Sequence, residues 1–427
     1  MKQLIAKIQA LARKPFARGA SWLLLARLTR IVVQAIYFVL IARSLGVDQY
    51  GAYAGVAALV SILTPFASWG TGNILVKHVA RDRSVFSTYW GNVVVVTAVS
   101  GAMLVAAALV IGYLVLPDTV SPWLILLVAI ADLLFVRLLD NAAKAFTSVE
   151  QFTKTAQIDI LISSRNLIAA IALWGLFQNP TAVDWGLLYL ISSVLGGISA
   201  YSMVNTQLGP PKPSLATIKP ELVEGFHFSV GHSAQTIYND IDKTMLASMA
   251  SLEATGVYAA AYRIIAVALV PLSVILSTSY PKFFRHGATG ISGTLQFAKK
   301  ILPLTVLYGV VGTVGLIVIA PVVPLILGDE YISAVEAIRW LAPLLILKAI
   351  SYIGADTLTG AGFQGIRSSL QVGVAGFNAI ANLWVIPLYT WRGAAWSSLV
   401  SDALLALVVW YLVFHYLRQQ RMSSSKP

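Results

Sequence analysis

The chain has 427 residues, 58% of them hydrophobic and 11% charged, at a mean hydropathy of +0.78. A soluble domain carries about 25% charged residues, so this composition excludes an ordinary cytosolic enzyme and a disordered protein, and its end-to-end apolar content excludes a single-span receptor. The net charge of +12 fits the cytoplasmic loops of a membrane protein better than a nucleic-acid surface, and the absence of cysteine excludes disulfides, thiolate metal sites and thiol nucleophiles.

A helix crosses a bilayer with about 20 mostly apolar residues. Twelve stretches reach that length: 20–42, 51–76, 88–116, 121–143, 156–178, 186–206, 226–249, 255–280, 301–327, 335–357, 368–390 and 393–417. Residues 1–19 precede them, with Leu4, Ile8 and Leu11 on one face between lysines, which fits a short helix lying on the inner surface or a frayed tail. No short apolar region with a small-residue cleavage site precedes the first span, so a signal peptide is not expected. The longest connection, 207–225, holds Pro210, Pro211, Pro213 and Pro220 and reads as a cytoplasmic linker between an N-lobe, 20–206, and a C-lobe, 226–417. A tail, 418–427, follows. With the N-terminus inside, 20 Lys and Arg fall in inside segments and 2, Arg43 and Arg392, in outside loops, which predicts two cytoplasmic termini.

The halves resemble each other. Tyr50-Gly51-Ala52-Tyr53-Ala54 and Thr255-Gly256-Val257-Tyr258-Ala259 lie 205 residues apart, and Lys77 meets Lys282 at the same offset. An offset of six spans keeps both copies in one orientation, a parallel repeat related by an axis along the membrane normal. The expected fold is therefore an all-α polytopic membrane protein of about twelve transmembrane helices in two six-helix lobes around a central cavity.

Charges at bilayer depth cost at least about 2.5–3.5 kcal/mol each on insertion scales, so each needs a partner, a wet cavity or a function. The first span carries Arg27 and Arg30 on one face with Gln34; snorkelling to the inner head groups is the alternative role. The fourth carries Asp132, Arg137, Asp140 and Lys144, spaced for an intrahelical ion ladder. The fifth carries Asp159, Ser163 and Asn166 on one face, with Arg165 offset. The seventh carries His232, Gln235, Asn239 and Asp242 at three- and four-residue spacing, plus His227, Asp240 and Lys243. A polar stripe of that length cannot face lipid. Arg263, then Lys348, Tyr352 and Asp356, then Asp402 complete the set. Cations from both lobes around one cavity would attract an anion, and guanidinium matches phosphate; cations paired locally with aspartates would show no such preference. No phosphate-binding glycine loop, metal-ligand histidine spacing or Gly-x-Ser-x-Gly elbow is present. Neither an enzyme nor a bound cofactor is expected, beyond a coupling ion, H+ or Na+. Gly360 and Gly362 read as helix caps or packing positions.

Arg43-Ser44-Leu45-Gly46 followed by Tyr50-Gly51-Ala52-Tyr53-Ala54, and more specifically Asp242-Lys243-Thr244-Met245-Leu246 continuing into Thr255 to Ile264, resemble Wzx-type polysaccharide and O-antigen flippases of the multidrug/oligosaccharidyl-lipid/polysaccharide exporter superfamily. Lys243 stands where that family often has arginine. The resemblance implies a flippase of the bacterial inner membrane. Its cargo would be an undecaprenyl-diphosphate-linked oligosaccharide, moved from inner to outer leaflet by alternating access on an ion gradient or the membrane potential. Its partners would be that lipid-linked cargo, membrane lipids, and polysaccharide polymerase or other assembly proteins, without nucleic acid. It implies head-group binding by Arg27 and Arg30 and, less directly, by Arg137, Arg165, Lys243, Arg263 and Lys348. Asp132, Asp159, Asp240 and Asp356 become candidates for coupling, beside the polar cavity residues His232, Asn239 and Asp242. A drug exporter of the same superfamily is the nearest alternative, since mixed span charges also suit it. A membrane glycan polymerase or ligase is the next, and short outer loops speak against it.

Overall fold

In the computed structural model, backbone is described over residues 15–424 and side chains over 32–422, save 215, 224, 227, 228, 230–232, 234 and 235. The expectations placed on Arg27, Arg30 and His232 concern side chains outside that set. Among the described residues there is no strand. The helices are α1 (Pro15–Leu63), α2 (Thr71–Val79), α3 (Phe86–Val115), α4 (Pro122–Ile130), α5 (Arg137–Ser148), α6 (Phe152–Leu176), α7 (Ala182–Leu208) and α8 (Leu215–Met249). They continue with α9 (Leu252–Ala268), α10 (Val270–Gly287), α11 (Ile291–Ile319), α12 (Val323–Leu327), α13 (Ile332–Leu341), α14 (Leu344–Gly360) and α15 (Gln364–Ser424).

Eight helical stretches are long and apolar enough to cross a membrane among the described residues, or nine if α9 and α10, bent by 45° at their junction, count as one. The chain is a multi-span membrane protein. The helix breaks at Gly46 and Thr390 match the sequence expectations, and the helix ends differ from them in two places, each with a local cause. α1 is two helices that meet at Gly46, between the first two expected spans, and the φ of 71° there suits a residue without Cβ. The second span stops at a 3-10 turn, Thr64–Phe66, where Pro65 removes a donor. α15 likewise is two helices that meet at Thr390 (φ 52°), where the eleventh expected span ends. The linker 207–225 is not irregular throughout: α8 starts at Leu215 and carries Pro220 within its second turn, where only one backbone hydrogen bond is forfeited. Gly362, at φ 94°, does end α14 as a cap, its N–H donating to the Thr359 carbonyl at 3.0 Å.

The chain divides into two compact units. The first runs to Leu45 and resumes over Val56–Ser233; the second holds Gly46–Gly55 and everything after Ser233. In the first, Leu75, Val79, Phe86, Trp90, Val93, Leu139, Ala142, Phe146, Ile158 and Val204 form one core. Trp90 is fully buried and donates its indole N–H to Asn205 Oδ1 at 2.9 Å. The segment between α7 and α8 is strapped onto the start of α3. Lys212 N–H donates to the Ser87 carbonyl, Ser214 N–H donates to Asn92 Oδ1, and Asn92 Nδ2 donates to Thr217 Oγ1 and Glu221 Oε1, each at 2.8 Å. Gly91 lies so close to Lys212 and Pro213 that a Cβ there would overlap their backbone.

The second unit brings the two copies of the repeat together. A Cβ on Gly51 would overlap the Leu252 carbonyl oxygen, and one on Gly256 would overlap the Val47 carbonyl. Helices that cross this closely need small residues at the crossing, and the shared Gly of each copy supplies one. Val47 N–H is taken up by Glu330 Oε2 at 3.0 Å. Ile291, Leu295, Leu358, Val374, Leu405, Val409 and Val413 form the main core of this unit.

Candidate functional site

The first unit contains a small open cleft lined by Pro65, Ser68, Gly70, Asn73, Arg137, Lys144 and Ser229. Its wall begins where α1 ends. Trp69 (φ 48°) and Gly70 (φ 69°) both adopt the left-handed conformation, and Thr71 Oγ1 donates to the Ser68 carbonyl at 2.6 Å. The chain thereby turns sharply into α2, placing Gly70 and Asn73, the cap and first turn of that helix, on the cleft. The N-terminal end of a helix carries partial positive charge, and here Thr71 and Asn73 N–H are already taken up by the Ser68 and Gly70 carbonyls at 2.9 Å. At Gly70 a Cβ would also overlap the Gly225 carbonyl, so the turn is closed to other residues on two counts.

The opposite wall comes from α5. Between α4 and α5 the helix widens into a π turn, Ala131–Val136. Such a turn inserts a residue and rotates the faces on either side of it. Asp132 and Arg137 consequently serve different surroundings. Arg137 pairs with Asp140 at 3.4 Å, while its Nε is buried without a hydrogen-bond partner. Ser229 Oγ is likewise buried without one. A buried donor left unpaired costs about 1–3 kcal/mol, so both atoms favour a ligand that accepts hydrogen bonds. Two cations, two serines, Asn73 and the capping Gly70 of α2, and no carboxylate, line one cleft. That combination recognises an anion with several oxygens, of which phosphate is the simplest.

Asp132 and Arg165 meet elsewhere in the same unit. Tyr189 Oη donates to Asp132 Oδ1 at 2.5 Å, Arg165 lies over the Tyr189 ring at 5.2 Å, and Arg165 donates to Ser193 Oγ. Tyr189 and Ser193 are one turn apart on α7, so one helix face holds both ends of the cluster. Asp159 is half-buried on α6, and its carbonyl accepts from Ser163 Oγ at 3.1 Å.

The second unit gathers the remaining expected residues from α8, α9, α14 and α15. Lys243 binds Asp240 Oδ1 at 2.6 Å and the Asn239 carbonyl at 2.8 Å, and lies over the Tyr262 ring at 4.4 Å. Asp242 accepts from Tyr258 Oη, which also lies 3.1 Å from Ser398 Oγ. Lys348 pairs with Asp402 at 3.2 Å. Asp356 does not join Lys348, one helical face notwithstanding; it binds Arg367 at 3.0 Å across the turn from α14 to α15. Arg263 is half-buried on α9. Among the expected cations with described side chains, Arg137 alone lines the cleft.

Sequence reasoning missed Lys144 as a site residue, because its place near the end of the fourth span made it a loop cation. It missed Ser68, Asn73 and Ser229 entirely, and nothing in their sequence surroundings marks them. Tyr189 was legible only as an aromatic in an apolar helix, and Tyr258 and Tyr262 only as members of the motif from Thr255 to Ile264, not as partners of Asp242 and Lys243.

Several solved structures share this fold. The structure described as lipid II flippase MurJ, inward closed conformation, superimposes with a TM-score of 0.74 at 14% identity, covering 92% of this chain and 87% of that one. A multidrug resistance MATE family transporter of the MOP superfamily, in an outward-facing conformation, gives 0.59 at 14% identity over 96% and 98%. A MOP superfamily transporter from Pyrococcus furiosus Vc1 gives 0.62 at 14% identity over the same shares. At such identities the likeness establishes the fold of the MOP transporters and no more. No curated protein matches the chain. The family model described as polysaccharide biosynthesis protein matches residues 16–286, more than half the chain. By that match, and by a fold in keeping with it, the chain belongs to the polysaccharide biosynthesis protein family.

Proposed function

We propose that this protein flips an undecaprenyl-diphosphate-linked oligosaccharide, an O-antigen or exopolysaccharide repeat unit, from the inner to the outer leaflet by alternating access. It does so in the bacterial inner membrane, through twelve spans in two six-helix lobes, with both termini cytoplasmic and an ion gradient or the membrane potential as drive. The observation that carries this reading is the cleft of the first unit, where Arg137 and Lys144 face Ser229, Asn73 and the α2 N-terminus without an opposing carboxylate. An exporter of organic cations would need the reverse polarity. With cytoplasmic termini the cleft lies toward the inner ends of the second, fourth and seventh spans, the side on which a lipid diphosphate is loaded. Family membership and the fold shared with a lipid II flippase support the same cargo class.

The test is Arg137→Ala and Lys144→Ala, scored as surface polysaccharide in a strain lacking its own copy, with membrane levels measured alongside. Losing one charge-assisted contact of about 1.5–3 kcal/mol predicts a tenfold to hundredfold loss of flipping at normal protein levels. Arg137→Lys should recover part of it. Full polysaccharide in the Arg137→Ala/Lys144→Ala double variant would overturn the proposal and return the search to Arg27 and Arg30.

A further inference from the structure

Deep in the second unit, Lys348 and Asp402 are each 2% exposed. The ammonium reaches both carboxylate oxygens, Oδ2 at 3.2 Å and Oδ1 at 3.5 Å. Two aromatic faces complete its surroundings, Tyr238 at 5.2 Å and Tyr352 at 5.8 Å from Nζ to the ring centroids. Both lie within the distance over which a ring face attracts a cation. Four helices build this site. Lys348 and Tyr352 are one turn apart on α14, Ser398 and Asp402 one turn apart on α15, and Tyr238 comes from α8. Tyr258 of α9, beside Ser398, closes the layer.

Stability does not account for the pair. Removing two charges from water costs about as much as their attraction returns, and an apolar pair of similar volume is often as stable or more so. What the arrangement does achieve is pairwise charge balance: the Asp402 carboxylate meets the Lys348 ammonium beneath two aromatic faces, while the neighbouring buried carboxylate, Asp242, is held by Tyr258. That is also the environment a small monovalent ion takes up, with hard oxygen ligands and a single neutralising charge. Here the charge arrives on a side chain.

We propose that Lys348 is a tethered counter-cation: the second unit is built around a monovalent-cation site at Asp402, and the chain fills that site with its own ammonium group instead of a soluble sodium ion. The consequence for energetics is specific. Asp402 is not where a sodium gradient enters the cycle, and a transport cycle driven by sodium would have to bind the ion elsewhere. Lys243 is the neighbouring case of the same device, held by Asp240, the Asn239 carbonyl and the Tyr262 face.

The experiment is thermal unfolding of the purified full-length protein in chloride buffers of sodium, potassium or N-methyl-D-glucamine at one ionic strength, with retention of radioactive sodium measured in parallel. The wild type should unfold at one temperature in all three and retain no sodium. Lys348→Met should unfold earlier in N-methyl-D-glucamine, regain about 3 °C in sodium held at a hundredfold its Kd, and retain the ion. Lys348→Met/Asp402→Asn should be indifferent to the cation. A sodium-dependent shift in the wild type that Asp402→Asn abolishes would overturn the proposal, as would a Lys348→Met protein that no small cation stabilises. Should Lys348→Met not accumulate, Lys348→Gln grown in high-sodium medium takes its place. Failure of both variants to accumulate there also counts against the proposal, since the vacated site would then accept no soluble ion.

Discussion

Asn92 is the residue whose loss the structure converts most directly into a number. It is fully buried on α3, and its amide makes three bonds of 2.8 Å to the strap that leads into α8. In membrane proteins such bonds average about 0.6 kcal/mol each and reach about 1.7. The one to the Glu221 carboxylate, 6% exposed, belongs at the upper end because its acceptor is charged. Asn92→Ala should therefore cost about 2–3 kcal/mol, and part of that is felt at the cleft, because Ser229 stands two turns beyond Glu221 on the same helix. Reversible SDS unfolding of the purified protein measures the cost. Asn92→Asp separates bonding from volume: it keeps the shape but sets a carboxylate against Glu221, so it should lose at least as much as Asn92→Ala. A loss below about 0.5 kcal/mol for Asn92→Ala, or a milder Asn92→Asp, would show that apolar packing of the strap, not the amide, holds it.

Three further outcomes are expected. Trp90→Ala, removing a fully buried ring from the core of the first unit, should cost about 3–5 kcal/mol, and Trp90→Phe about 1 kcal/mol for the lost bond to Asn205, both by the same unfolding measurement. Asp356→Asn should lower membrane levels and Asp356→Asn/Arg367→Gln should restore them with transport intact; a coupling carboxylate would lose transport in both. Glu336→Gln and Arg392→Gln, breaking an ion pair of 2.7 Å whose side chains are nearly half exposed, should each change stability by less than 1 kcal/mol, an effect that high salt removes.

The fold was legible because lipid leaves the backbone few options. Long apolar runs had to be helices, and the cation bias had to follow the loops. Helix ends were harder to place. Gly46 falls between the first two expected spans and Thr390 at the end of the eleventh, so both breaks were placed, whereas the end of the second span at Pro65 and the helical start of the linker were not. The buried charges were also legible, since each stands out in an apolar run. Their partners were not. Tyr189 lies 57 residues from Asp132, Asp402 lies 54 from Lys348, and Glu221 lies 129 from Asn92. Helical spacing predicts contacts three or four residues apart and nothing about these. Where it was trusted it gave Arg137 with Asp140 correctly, and for Asp356 it offered no partner, the carboxylate being bound to Arg367.

Partner geometry also sorts the cations by what they remain able to do. Arg165 is fixed between Ser193 and the Tyr189 face, Lys243 between Asp240 and Tyr262, and Lys348 on Asp402. Arg263 has contacts of its own. To bind a phosphate, each of the first three would have to leave a partner already inside the protein, and the ligand would gain only the difference between two attractions. Arg137 and Lys144 differ in that both border open space, Arg137 being paired on one edge with Asp140. A ligand there adds bonds without breaking any. An alanine scan of all five should therefore divide cleanly. Variants at Arg165 and Lys243 would fall in membrane level, each leaving an acid or an aromatic pocket uncompensated, those at Lys348 would fall only where sodium is scarce, and those at Arg137 and Lys144 would hold their level and lose transport.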